Sequence, residues 1–149
     1  MITHIHHINF IVENLEEAVA RYQSNLGLGD FLFDSLAQRA VKTARIKLGD
    51  TWLVLVQPID SASEPAKFLA ENGEGFFLIS LGTDDLDRQL EAYQLNDKSN
   101  SQSNSRLDDR TPSPPRRGLE NWRVADLANA DFFGAQFQIT EELPREANS

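Results

Sequence analysis

An α+β fold made of two copies of a βαβββ module is the fold class the sequence predicts. Three observations predict it. Strand-like runs and helix-like runs follow one another in the same order twice along the chain. The stretch His7-Ile8-Asn9-Phe10-Ile11-Val12-Glu13-Asn14-Leu15 lies over Leu78-Ile79-Ser80-Leu81-Gly82-Thr83-Asp84-Asp85-Leu86 at a constant offset. Strand, capping residue, helix and the apolar residue after the cap all coincide, which marks a repeated supersecondary unit. Finally, 149 residues suit one domain, or two small modules sharing a core.

The elements follow in order. Residues 5–12 are rich in β-branched and aromatic residues and read as a strand. Asn14 stands where a helix N-cap belongs, with Glu16 and Glu17 in the first turn. Leu15, Val19, Tyr22 and Leu26 recur at helical spacing until Gly27 closes the helix. Extended stretches are expected near 30–36, 40–48 and 51–57, with Gly49-Asp50 as the turn between the last two. A short connecting helix over 65–71 opens on Pro65, whose missing N–H costs nothing at a first helical position. Gly73-Glu74-Gly75 leads into a strand from Phe76 to Thr83, and Asp84 or Asp85 caps a helix carrying Leu86, Leu90 and Tyr93. Residues 96–117 then turn polar and proline-bearing, and read as a loop, either flexible or a lid. Two last strands are expected over 122–127 and 132–140, with Asn129 and Gly134 bracketing their turn. The predicted organisation is one two-module domain over 1–149: module one about 5–58, a connecting segment 59–74, and module two about 75–142 with the flexible loop 96–117 inside it.

Composition narrows the function classes. The formal net charge is −9 and the basic residues are scattered apart from Arg116-Arg117, so no nucleic-acid partner is expected. No apolar run approaches the roughly 18–20 residues that span a bilayer, and no membrane partner is expected. The absence of cysteine rules out disulfide and thiolate chemistry and fits a cytoplasmic protein. The amino-terminal residues lack the basic and apolar regions of a signal peptide.

An ordered set of motifs carries a family likeness: His7-Ile8 followed by Asn14-Leu15-Glu16-Glu17-Ala18, then Leu26-Gly27-Leu28, Leu48-Gly49-Asp50-Thr51, and Ala66-Lys67-Phe68-Leu69 with Gly73-Glu74-Gly75. Together with the strand and cap from Ile79 to Leu86, they resemble the vicinal oxygen chelate superfamily of glyoxalases, bleomycin-resistance proteins and ring-cleaving dioxygenases. The likeness is strongest to its methylmalonyl-CoA epimerases. It covers residues 5–94 well and 118–142 in outline. The resemblance implies a cupped eight-stranded mixed sheet around a central pocket. It also implies a divalent metal held by one ligand from each of four strands, with open positions for Lewis-acid chemistry.

Carried over residue by residue, the resemblance places the four ligands at His7, Val54, Leu78 and Gln138. Valine and leucine cannot coordinate, and glutamine is a weak neutral ligand, so no metal site and no cofactor is expected, a divalent metal being the one alternative. The epimerases' acid–base glutamate aligns with Gln38, which has no proton to exchange near neutral pH. His7 stays open between three readings: a surviving ligand, a pocket hydrogen-bonding group or general base, and a core histidine. His4 and His6 share one strand face and His7 points to the other. By the same parity Asn9 joins His7, while Trp52, Val54 and Val56 share a face. Leu78, Ser80 and Gly82 share another, as do Gln136, Gln138 and Thr140. Inward, these groups make an apolar pocket with a few neutral hydrogen-bonding groups; alternatively Trp52, Val54 and Leu78 simply fill a core. Arg45 and Lys47 would either meet an anionic head group or carry their charges outward.

Two functions follow. One is a metal-free small-molecule-binding protein using Asn9, Arg45, Trp52, Val54, Leu78, Ser80 and Gln138. The other is a glyoxalase- or epimerase-type lyase or isomerase with a rebuilt site, with His7 as base and Gln38, Gln138 or Arg45 stabilising an enolate oxygen. A small-molecule ligand is the expected partner, and a homodimer is one expected assembly.

Overall fold

The structure, a computed structural model, describes residues 1–100 and 112–144. Its elements in order are β1 (Ile2–Ile11), α1 (Leu15–Leu26), β2 (Leu32–Leu36), β3 (Val41–Leu48), β4 (Thr51–Pro58), α2 (Glu64–Asn72), β5 (Gly75–Thr83), α3 (Leu86–Asn100), β6 (Arg116–Arg117), β7 (Trp122–Asp126) and β8 (Phe137–Glu142). The fold is α+β, with a mixed eight-stranded sheet in the order β2-β3-β4-β1-β5-β8-β7-β6. Among the described residues, strands β2 and β6 are its edges. The chain divides into two compact units, His7–Phe77 and residues 1–6 with the described residues from Leu78 onward. Each repeats the same pairing: first strand parallel to last, then two antiparallel neighbours. No helix among the described residues is long and apolar enough to cross a membrane.

In the unit His7–Phe77, local chemistry sets α1 at both ends. Asn14 Oδ1 accepts from the Glu17 N–H at 3.0 Å, and Gly27 closes the helix at φ 63°, which only glycine adopts freely. The Leu15 N–H donates to Gln57 Oε1 at 2.9 Å, tying the helix start to the end of β4. Val12, Leu15, Val19, Phe31, Ala44 and Leu55 bury one core between α1 and the sheet, with Phe10, Tyr22, Ile46 and Leu53 at its rim. Each fully buried Leu or Val there contributes about 1.5–3 kcal/mol. Strand alternation puts Val41, Val54 and Val56, with Leu36 and Trp52, into a second cluster on the opposite face.

The other unit is built the same way. Asp85 is the cap of α3, its Oδ1 accepting from the Arg88 N–H at 3.1 Å. Leu86 and Leu90 bury against Ala125 and Ile139. Arg123 forms a two-pronged pair with Asp87 at 2.9 and 3.1 Å, which holds the Asp87 carboxyl below the usual carboxylate range. His6 is buried, 2.8 Å from Glu142 Oε1 and edge-on to the Trp122 ring at 4.6 Å. Gly82 is required where it stands: a Cβ there would lie 2.4 Å from the His4 ring.

Several boundaries differ from the sequence expectation. β1 begins at Ile2, not residue 5. The expected loop 96–117 is shorter at both ends, because α3 continues through Asn100 and Arg116–Arg117 pair with β7; residues 101–111 lie outside the described residues. The strand expected over 132–140 starts only at Phe137. Residues Asn129–Phe132 make a 3₁₀ turn, and Phe133 sits at φ 55°, incompatible with a strand.

Candidate functional site

Apart from Gln38, the sequence-predicted residues fall on two sheet faces that point away from the helices, one in each unit. In the unit His7–Phe77, the parallel register sets His7 beside Trp52 and Asn9 beside Val54. The antiparallel register of β3 and β4 then sets Lys47 beside Trp52 and Arg45 beside Val54. Two rows result: His7–Trp52–Lys47 and Asn9–Val54–Arg45. His7 and Val54 are buried, and Trp52 is half-buried. The Asn9 side-chain oxygen is buried without a hydrogen-bond partner.

Arg45 corrects the expectation that this strand carries its charges outward. It is 1% exposed. Its Nη1 donates to Asp34 Oδ2 at 2.5 Å, and its guanidinium lies 5.1 Å from the Trp52 ring centroid. A buried cation is tolerated because a carboxylate and an aromatic face receive it. Lys47 is exposed as expected, with its ammonium 5.8 Å from the centroid of the same ring. The sequence reading missed Asp34. The signal was available in the hairpin register, which places Asp34 opposite Thr43 and so one diagonal step from Arg45.

Gln38 stands apart. It is exposed on the 3₁₀ turn Ala37–Arg39. It lines a surface depression of about 420 Å³ with Arg39, Asp60, Ser63, Glu64 and Pro65, and none of the other predicted residues lines that depression.

In the second unit, Ser80, Gln138 and Asp126 form one row across three strands, since Ser80 pairs with Gln138 and Gln138 with Asp126. Leu78 shares the face of Ser80 by alternation, and both are buried. Ser80 Oγ and Thr140 Oγ1 hydrogen-bond at 2.5 Å. Gln138 Nε2 donates to Asp126 Oδ1 at 3.1 Å. Arg116 meets the same carboxylate with two donors, at 2.8 and 3.2 Å. Asp126 was not singled out from the sequence, and Arg116 was noted only as half of a basic pair in a proline-bearing stretch that reads as loop.

The four positions that the family likeness assigns to metal ligands can now be tested against their chemistry. His7 keeps an imidazole and Gln138 an amide, but Val54 and Leu78 present buried hydrocarbon with no donor atom. Among the described residues no group of three or more His, Cys, Asp or Glu stands together. The donor set does not fit the family's metal.

Fold, repeat and site positions together define the class. A model of the glyoxalase/bleomycin resistance protein/dioxygenase superfamily matches residues 6–106, and the chain belongs to that superfamily. Among solved structures it is similar to a methylmalonyl-CoA epimerase in complex with methylmalonyl-CoA and NH4+, with a TM-score of 0.83 and 26% identity over 98% of this chain and 99% of that one. It is equally similar to a variant of the Streptomyces coelicolor methylmalonyl-CoA epimerase in complex with 2-nitronate-propionyl-CoA, at 0.83 and 26% over 99% of each chain. The Mycobacterium tuberculosis methylmalonyl-CoA epimerase shares the fold, with a TM-score of 0.80 and 22% identity over 96% of this chain and 90% of that one. No curated protein matches the chain.

Proposed function

We propose that the chain is a metal-free, small-molecule-binding member of this superfamily, acting in the cytoplasm as a homodimer. The observation that carries the reading is the pair Val54 and Leu78: hydrocarbon stands at two of the four metal-ligand positions, and both side chains are buried. Around them the charges are neutralised in place. Arg45 is paired with Asp34, and Asp126 with Arg116. What is left for a ligand is, in the unit His7–Phe77, apolar surface from Trp52 and Val54 with Asn9, and in the other unit Leu78 with Ser80 and Gln138; an apolar face with a few neutral hydrogen-bonding groups suits a small hydrophobic or aromatic molecule.

A second reading is an epimerase- or glyoxalase-type enzyme with a rebuilt site, favoured by 26% identity to an epimerase over nearly the whole chain. It needs His7 as base and an oxyanion partner among Arg45, Gln38 and Gln138. The Asp34 partner of Arg45, the Asp126 partner of Gln138 and the separate depression around Gln38 weigh against it. One experiment separates the two. Untagged protein is analysed for metals, then titrated with hydrophobic metabolites in a Trp122→Phe background, following Trp52 fluorescence. Binding that survives His7→Ala with modest loss, with no stoichiometric metal and no deuterium wash-in at the α-carbon of methylmalonyl-CoA, supports the binder. One tightly held divalent ion per chain, or exchange at an enzymatic rate, overturns it.

A further inference from the structure

Gln138 is 6% exposed, and its one described side-chain hydrogen bond runs from Nε2 to Asp126 Oδ1. An ionised carboxylate only accepts, so the amide end that faces it must be NH₂. The reversed amide would set two oxygens, one of them charged, against each other. A hydrogen bond to a charged group favours the observed orientation by roughly 10–100-fold. The carboxylate itself is fixed. Arg116 grips both its oxygens, the Asp126 N–H donates to Ser113 Oγ at 2.9 Å, and the Ser113 N–H returns a bond to the Asp126 carbonyl at 2.9 Å. On the other side of Gln138 in the same row, the Ser80 hydroxyl is engaged with Thr140 and does not compete for the amide.

We infer that Asp126 is a positioning residue that fixes the Gln138 amide with its carbonyl oxygen turned away, so that this site selects a ligand group bearing an N–H or O–H donor. The inference rests on the reading of this face as ligand-binding. The mechanism is the one by which groups behind a ligand-contacting residue set its tautomer or flip. Substituting Asp126→Ala removes it: no acceptor then faces the Gln138 amide, which is free to turn and present either end.

The test uses ¹⁵N-labelled full-length protein, with the Gln138 side-chain amide signal identified by its disappearance in Gln138→Leu. Two isosteric probes are titrated, indole with an N–H and benzofuran without one. The expected result is a Gln138 NH₂ signal displaced from free glutamine and slow to exchange. Indole then binds about fivefold tighter than benzofuran, the size of one net hydrogen bond, and Asp126→Ala abolishes the preference. A Gln138 amide that behaves as free glutamine in the unsubstituted protein overturns the positioning role, whether or not Asp126→Ala folds. A locked amide with equal affinity for both probes overturns the donor selectivity and leaves the binding function standing. A locked amide with no probe response anywhere on this face overturns both the selectivity and the binding reading. Specific broadening of Gln138 by one equivalent of Mn²⁺, displacing indole, assigns the oxygen to a metal and overturns the donor claim.

Discussion

Removing Asp34 should destabilise the protein more than removing its partner Arg45, although Asp34 is the more exposed of the two. The Arg45 side chain is 2% exposed and the Asp34 side chain 45%, with 2.5 Å between Nη1 and Oδ2. Breaking a fully buried ion pair costs about 3–5 kcal/mol, because the remaining charge stays in low dielectric. Here water screens the acid side, which reduces the expected cost of Asp34→Ala to about 2 kcal/mol. In Arg45→Met the flexible stem still covers Trp52 and the remaining Asp34 hydrates. The loss is then the cation–π contact and one hydrogen bond, about 1 kcal/mol. With the cation gone, deleting Asp34 adds little, so the double variant should also lose about 1 kcal/mol, a coupling of about 2 kcal/mol. Urea unfolding reads this directly. With a slope near 2 kcal/mol per molar, the midpoint should fall by about 1 M in Asp34→Ala and about 0.5 M in the other two. Single effects that add within about 0.5 kcal/mol, or a larger loss in Arg45→Met than in Asp34→Ala, would refute the picture of a buried cation held by Asp34.

Other consequences are as direct. Ser80→Ala strands the buried Thr140 hydroxyl and should cost about 1–3 kcal/mol, whereas Ser80→Ala with Thr140→Val should cost clearly less than the two singles summed, by calorimetry. Leu86, the first residue of α3, is fully buried against Ala125 and Ile139, so Leu86→Ala should cost about 2–5 kcal/mol and raise hydrogen exchange in β8. Arg123→Gln releases the hydrogen bond that lowers the Asp87 pKa, so the Asp87 carboxyl carbon should titrate at higher pH by NMR. Because the folded value is the depressed one, the pair's contribution stands at neutral pH and is lost as pH falls through it, and the stabilities of Arg123→Gln and the unsubstituted protein should converge in acid.

What the sequence made legible is what local chemistry controls. Asn14 and Gly27 bound α1 as expected because capping is a matter of single residues. Leu15, Val19, Leu86 and Leu90 are buried because helical spacing leaves them one place to go. Leu26 kept the spacing yet is exposed at the last position of α1. Phe132 and Phe133 looked like strand residues by type, but the backbone at Phe133 is left-handed and β8 begins later. β6 was invisible because two residues behind Pro114 and Pro115 have no period to read. At the candidate site, strand parity placed Trp52, Val54 and Val56 together, and they do share a face. The partners Asp34 and Asp126 escaped because each is defined by register across strands, which a one-dimensional pattern shows only once the pairing is known.

The two ends of the sheet are unlike, and this governs how copies of the chain could add to one another. β2 is a five-residue edge with Leu32 and Phe33 exposed, a template that another strand can extend. β6 offers two residues directly behind a Pro-Pro pair that lacks backbone donors. A growing fibre needs a competent edge at both ends, because each added copy must present a fresh template to the next. With one edge open and the other blunted, edge pairing can only join β2 to β2 and then terminates. Losing the proline pair should therefore matter more to solubility at high concentration than to the stability of the folded chain.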